Sequence, residues 1–252
     1  FFLILFTNFS NQKLLAESSN ELLKVDWSFK SFFGKYDRAS LQRGYQVYNE
    51  VCASCHSLKY LSYRNLAEKG GPEFSESEAK AIAASFEVTD GPNSDGEMFE
   101  RPGKLSDKFV SPYSNIEEAK VANGGAYPPD MSVLVKARKG GANYIYSVLV
   151  GYEDPPEGIK LDDGVYYNKY MYGNKIKMSA PLEDDIIEYT DGTKATKEQM
   201  SKDVVTFLMW SAEPHLEARH KTGFRVIIYL LILTVLVYFS MKKIWSRIES
   251  KV

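Results

Sequence analysis

The residues best able to do chemistry lie in one short string, Cys52-Ala53-Ser54-Cys55-His56, which holds both cysteines of the 252-residue chain. Thiols at i and i+3 lie about one helical turn apart, a spacing at which both can add to the vinyl groups of one porphyrin while the adjoining imidazole is held under the iron. C-x-x-C-H therefore reads as a covalent c-type haem attachment, with Cys52 and Cys55 as thioether donors and His56 as an axial ligand. Three other readings compete with it. A thioredoxin-like redox pair wants a strand and helix pattern that the surroundings lack, a zinc site wants two further ligands, and a plain disulfide wants only oxidation.

An iron so held needs a sixth ligand or an open position. His215 and His220 fall within about ten residues of a strongly apolar segment, too near a bilayer for a site that meets a soluble partner. Among the methionines, Met131, Met171 and Met98 are ordinary core fillers by default. Met178 stands apart because it sits in an otherwise polar loop, GNKIKMSAP, where no helical stripe accounts for it. On spacing alone Met178 leads these three. Ligation by Met and His closes the iron to external ligands and favours electron transfer over catalysis at the metal.

These groups must be positioned by the elements around them. Leu41, Tyr45, Tyr48 and Cys52 recur on one helical face, so Asp37 to Cys55 is expected to be a helix capped by Asp37. A capping box from Ser75 to Glu78 opens a second helix. From Thr89 to Ala142 the chain is rich in Gly and Pro, with short helical runs at 116–122 and 131–138. Tyr144 to Tyr152 reads as helix, Glu153 to Ala180 as loop, and the Asp-Gly within IIEYTDGT as the turn of a short hairpin over 186–193. Thr196 caps a last helix, Lys197 to Glu213, which Pro214 ends. Long ordered loops bury little apolar area to offset their ordering entropy, which points to a large organising group.

Composition sets the outer limits. With 44% hydrophobic residues, 25% charged residues and a net charge of -2, a disordered tail, a polytopic membrane protein and a strongly basic nucleic-acid binder are all excluded. The 17 Tyr and 14 Phe suit walls around a flat apolar ligand, as they suit ordinary packing. Charge is uneven: Gly71 to Glu100 holds eight acids against Lys80 alone. That stretch is either a solvated face or a docking surface for a basic partner.

Two segments suit lipid. Phe224 to Ser240 carries a single charge, Arg225, at its edge, and its length of about 26 Å is nearly enough to span a bilayer, with Met241, Ile244, Lys242 and Lys243 supplying the rest. Lys242, Lys243 and Arg247 follow beside Trp245, so the positive-inside rule puts residues 242–252 on the cytoplasmic or matrix side and the haem-bearing part on the other. The N-terminal FFLILFTNF reads as the core of a secretory leader with a candidate cut after Ala16; the alternative is an uncleaved second anchor, for which nine apolar-leaning residues are too few to span. The expected organisation is a residual leader at 1–16, an exported c-type haem domain at 17–221, a transmembrane helix at 222–241 and a short tail.

Several longer strings are more specific than C-x-x-C-H. GYQVYNEVCASCHSLKYLSYRNL, DGPNSDGEMFERPGKLSD, NGGAYPPDMSVLVKARKGG, the Met178 loop and DGTKATKEQMSKDVVTFLMWSAEPH occur in the order found in the cytochrome c1 family, which the chain resembles from about Phe33 to Val252. The resemblance implies a mainly α fold, a class I cytochrome c-like haem domain with long ordered loops and one C-terminal transmembrane helix. It implies one haem c, held through Cys52 and Cys55, with His56 and Met178 as iron ligands. It further implies that Asn123, Ala126, Pro128 and Pro129 line the haem, that Arg138 stands near a propionate, and that Tyr144 and Pro181 are further neighbours. Many relatives follow the ligand with Ala-Pro-Pro; here the string is Met178-Ser179-Ala180-Pro181.

The implied partners are cytochrome b, the Rieske iron-sulfur protein, a cytochrome c and the lipid bilayer, within a dimeric ubiquinol-cytochrome c reductase (cytochrome bc1) complex. The implied location is a bacterial inner membrane with the haem domain in the periplasm, or a mitochondrial inner membrane facing the intermembrane space. No catalytic residue is required of the chain itself. The main alternative is a freestanding, membrane-tethered cytochrome c carrier to a terminal oxidase. A haem enzyme or gas sensor with an open iron, and a purely structural haem, are the remaining alternatives.

Overall fold

The computed structural model describes residues 20–249, with side chains to residue 246. The apolar run at 1–16, expected to be a leader, lies outside the described residues. The fold is mainly helical. In chain order its elements are α1 (Arg38–Glu50), α2 (Glu76–Ala84), β1 (Glu87–Asp90), β2 (Phe99–Pro102), α3 (Ile116–Ala122), α4 (Ala142–Val150), β3 (Tyr166–Tyr167), β4 (Lys175–Ile176), α5 (Lys197–Ala212) and α6 (Leu216–Glu249).

Helix starts follow local side-chain chemistry. Asp37 accepts hydrogen bonds from the amides of Ala39 and Ser40 to open α1, Ser75 and Glu78 form the reciprocal capping box of α2, and Thr196 caps α5 through the Gln199 amide. Such caps satisfy amides that a helix cannot bond internally. The end of α1 is less local. The α-helix stops at Glu50, short of the Cys55 expected from the periodicity: Val51 still donates to the Val47 carbonyl, but the amides of Cys55 and His56 both turn back onto the Cys52 carbonyl. The cysteines are presented from a 3-10 turn, Cys52–Ser54.

The core sits where α1 crosses α5. Leu41, Val47 and Tyr48 from α1 meet Val204, Phe207, Leu208 and Trp210 from α5, and all are buried. Each such side chain contributes roughly 1.5–3 kcal/mol by leaving water. Gly44 makes the close crossing possible, since a Cβ there would stand 2.1 Å from the Asp203 carbonyl oxygen. Asp203 itself is fully buried and accepts from Ser40, Arg43, Tyr189 and Gln199. A carboxylate removed from water is tolerated only with this degree of satisfaction. In return, hydrogen bonding to Asp203 holds the Arg43 guanidinium above its ordinary pKa.

Four expectations need correction. The stretch at 131–138 makes successive turns, such as Leu134 onto Met131 and Ala137 onto Val133, and no helix. The Gly- and Pro-rich region contains an antiparallel hairpin, β1 with β2, that its composition concealed. The loop expected over 153–180 contains a second short pairing, β3 with β4. Conversely, no hairpin forms at 186–193: Asp191-Gly192 does turn, with the Gly192 amide on the Tyr189 carbonyl at 3.0 Å, but Ile187 and Tyr189 are drawn into the core instead of pairing. Burial of two large side chains outweighed a local turn signal.

Beyond Pro214 the chain enters α6, which takes in His220 and the whole apolar run, so the expected linker is shorter than its polarity suggested. Leu216–Ser246 is long and apolar enough to cross a membrane. Its apolar side chains from Phe224 to Trp245 are exposed, and Phe224 at the start of the run meets the Phe33 ring.

Candidate haem site

His56 is 8% exposed, and its Nδ1 lies 2.8 Å from the Pro129 carbonyl oxygen. A carbonyl can only accept, so Nδ1 carries the proton and the Nε2 lone pair is left as the basic position of the ring. Burial holds the imidazole below its ordinary pKa, against the opposing pull of Pro129 and Asp130, so the ring is neutral, as metal ligation requires. The fixing of ring orientation through the far nitrogen is the device by which proteins aim a ligating histidine.

Asp130 anchors this arrangement from behind. Its carboxylate accepts from the Ser57 hydroxyl at 2.8 Å, the Lys59 amide at 2.9 Å and the Ser132 amide at 2.9 Å, while the Met131 amide donates to the Ser57 carbonyl at 2.8 Å. Desolvation pushes the Asp130 carboxyl up, yet these hydrogen bonds win and hold it below its ordinary value. The segments 56–59 and 129–132 are thus clamped together. Sequence reasoning did not single out Asp130, although it stands within the quoted string NGGAYPPDMSVLVKARKGG; its partners Ser57 and Lys59 are about 70 residues away.

Cys52 and Cys55 are both free thiols, which removes the disulfide reading. Burial, with a lesser contribution from Cys55, pushes the Cys52 thiol up to about 12. A redox pair of the thioredoxin kind depends on a depressed thiol pKa, and among the described residues the two small two-stranded sheets offer no thioredoxin-like framework. Among the described residues no three His, Cys, Asp or Glu side chains come together as a metal cage, so the two further ligands a zinc site wants are not found there. Two free thiols beside a neutral, aimed imidazole fit a porphyrin held by thioethers.

The Met178 loop is tied down by contacts to backbone carbonyls. The Tyr152 hydroxyl donates to the Met178 carbonyl at 3.1 Å, and the Lys177 ammonium donates to the Gly124 carbonyl at 3.0 Å. Gly124 and Gly125 both take positive φ, which lets the chain turn sharply after α3. The segment from Asn123 to Pro129 therefore touches the Met178 loop at one end and His56 at the other. Asn123 ends α3 and donates to the Tyr113 hydroxyl at 3.0 Å, Ala126 bonds back to Asn123, and Pro128 lines a cavity of about 520 Å³ that also reaches Cys55, Tyr113 and Tyr127. That volume falls within the usual range for ligand clefts. His56 and Met178 do not line it, so it flanks the site.

The Tyr144 hydroxyl contacts the Met171 sulfur at 3.3 Å, which commits Met171 to a structural partner. Met131 is buried in the core and Met98 is 60% exposed near the tip of the β1–β2 hairpin. Arg138 is exposed, close enough to Tyr144 for its charge to act on that hydroxyl. Pro181 is half-buried ahead of the fully buried Leu182. Tyr152 and Lys177 went unnoticed in the sequence, since each acts through a carbonyl contact with no sequence signature.

A family model described as the Cytochrome C1 family matches residues 27–248. The chain belongs to the cytochrome c1 family. It is 49% identical over 239 residues to a Bradyrhizobium diazoefficiens protein named cytochrome b/c1, a match that covers 87% of this chain and only 35% of that longer protein. It is 49% identical over 236 residues to Arabidopsis thaliana cytochrome c1 2, a mitochondrial heme protein, covering 94% of this chain and 76% of the relative. A Candida albicans protein named cytochrome b-c1 complex catalytic subunit, mitochondrial, is 46% identical over 227 residues, covering 90% and 78%. Family membership and the mainly helical fold with one membrane-capable C-terminal helix agree with the expectation from sequence.

Proposed function

We propose that this cytochrome c1-family chain is the electron-transfer subunit of a cytochrome bc1 complex, carrying electrons from the Rieske iron-sulfur protein through one covalent haem c to a cytochrome c. The observation that carries the proposal is the His56 Nδ1 contact to Pro129 at 2.8 Å, which presents Nε2 to a metal. In this reading Cys52 and Cys55 would hold the haem through thioethers, and His56 and Met178 would ligate its iron. Asn123, Ala126, Pro128, Pro129, Arg138, Tyr144 and Pro181 surround the cofactor. Haem of this kind supplies a one-electron carrier whose potential is raised by Met/His ligation.

The protein's share of the work is positional. Pro129 and Asp130 hold the imidazole, and Tyr152 and Lys177 hold the Met178 loop. Quinol oxidation belongs to the assembled complex. That relatives are named cytochrome b/c1 and cytochrome b-c1 complex catalytic subunit supports partnership with cytochrome b in a multisubunit assembly, which this reading takes to be dimeric.

Residues 17–221 form the exported haem domain, 222–241 cross the bilayer, and 242–252 remain on the cytoplasmic or matrix side, as the basic cluster Lys242, Lys243 and Arg247 supports. The acidic stretch is partly spoken for: Glu73 pairs with Arg38, Glu76 with Lys80 and Asp90 with Arg101. Asp95 and Glu97, at the exposed end of the hairpin, remain the best candidates to attract a basic partner.

A reduced-minus-oxidised visible spectrum of the tagged chain, purified from its own membranes in mild detergent, tests the proposal. Bands of c-type and b-type haem together are expected. A c-type band alone would move the assignment to a freestanding tethered carrier, and uptake of carbon monoxide by the reduced protein would move it to an open-iron haem protein.

A further inference from the structure

Between Trp27 and Tyr36 the chain folds back on itself, with the Lys30 amide on the Trp27 carbonyl at 3.0 Å and the Gly34 amide on the Ser31 carbonyl at 2.8 Å. Trp27, Phe29 and Tyr36 turn into the core, whereas Phe32 and Phe33 at the tip are 66% and 62% exposed. Their rings meet edge-on at 4.8 Å, and the Phe33 ring packs edge-on against Phe224 at 5.5 Å. Phe224 opens the apolar run of α6 and is itself 43% exposed. Three aromatic rings thus form one continuous water-facing patch that joins the globular part to the first turns of its apolar helix.

We propose that the Phe32–Phe33 tip is a second membrane anchor, inserted beside α6 into the interfacial layer of the bilayer. The proposal rests on reading α6 as membrane-crossing. Contact with Phe224 sets the depth: if the apolar run begins at the lipid boundary, a ring packed on its first residue stands at that same boundary. Exposed apolar patches of this kind mark interaction surfaces, and Phe carries no polar atom that lipid would leave unsatisfied. The surrounding charge favours phospholipid headgroups. Lys30 and Lys35 flank the tip, Lys221 and Arg225 flank Phe224, and all four are exposed. The acids nearest in the chain are largely committed, Asp37 to the α1 cap, Glu217 to Arg38, and Glu213 to Lys136 and Arg219; only Asp26 is unaccounted for. Two points of attachment in place of one would restrain the haem domain from swinging about the Glu213–His215 junction.

The test uses the full haem-loaded chain in its own complex, reconstituted in phosphatidylcholine and phosphatidylglycerol bilayers. Single spin labels are placed at Phe32→Cys, at Leu231→Cys within α6 and at Ser94→Cys on the exposed hairpin. Collision of each label with lipid-soluble oxygen and with a water-soluble nickel chelate is measured. The proposal expects an oxygen-to-nickel ratio at position 32 several-fold above that at 94 and below that at 231. A position 32 as open to nickel as 94, with 231 in lipid, overturns the anchor and spares the membrane-crossing reading. Shielding of position 32 from both probes overturns it too and assigns the tip to a protein neighbour. A label at 231 that is itself water-accessible removes the membrane-crossing reading and the anchor together.

Discussion

The His56 imidazole is held by the Pro129 carbonyl across 73 residues of chain, and the ring's direction is set by that single 2.8 Å contact. Because the acceptor is a backbone atom, its position depends on what fixes the 129–132 backbone, and Asp130 does most of that. Replacing Asp130 by Ala removes three hydrogen bonds to an ionised group and should cost roughly 2–3 kcal/mol. Denaturant melts of the haem-loaded chain should show the loss, with a smaller fraction of chains carrying covalent haem. An Asp130→Ala variant as stable as the parent would mean that the clamp is redundant.

Met178→Leu should leave the haem attached and lower its reduction potential by on the order of 0.1 V, a fraction of the ~0.8 V span that axial ligands command. Potentiometric titration reads this directly. An unchanged potential would mean that another residue is the distal ligand. Tyr152→Phe, which removes the hydroxyl at 3.1 Å from the Met178 carbonyl, should act in the same direction more weakly and make the reduced iron more open to carbon monoxide.

Gly44→Ala places a Cβ 2.1 Å from the Asp203 carbonyl oxygen and 2.7 Å from the Phe207 Cβ. Neither neighbour is the free end of a flexible side chain, so α1 and α5 must part. A loss of about 3 kcal/mol is expected, seen as a fall in Tm of roughly 6–12 °C. A Tm within a degree of the parent's would show that the helices do not cross as closely as described.

Asp107 gives a pH signature. Hydrogen bonds from the Arg101 guanidinium hold its carboxyl down, from 3.8 to about 2, against a smaller desolvation penalty. A carboxylate whose folded pKa is depressed stabilises the fold above its unfolded pKa and loses that contribution as pH falls through the folded value. Asp107→Asn should therefore be less stable than the parent at pH 6, with the gap closing between about pH 4 and pH 2. A gap that stays constant across that window would separate Asp107 from the acid dependence.

Much of the site and fold was legible from local strings. C-A-S-C-H pointed to the haem attachment proposed above because thioether attachment constrains residues within one turn of each other. The caps at Asp37, Ser75 and Thr196 marked helix starts because capping bonds reach only two or three residues. The run from Phe224 to Ser240 announced a lipid-compatible helix because apolarity without a polar face has few other uses in a chain of this size.

Tertiary structure alone decided what depends on groups distant in sequence. The Asp203 cluster draws Ser40 and Arg43 from α1, Tyr189 from a loop and Gln199 from α5, and no pattern along the chain announces that set. The same cause undid the hairpin expected over 186–193, where the Tyr189 hydroxyl bonds Asp203 at 3.1 Å and the Asp191-Gly192 turn is left without paired flanks. It also chose the acceptor for His56, because a carbonyl has no sequence signature and only the folded path brings Pro129 to the ring. The sequence by itself determined which groups are present and where helices begin; packing and long-range hydrogen bonds, whose energies exceed local preferences, decided where those groups point.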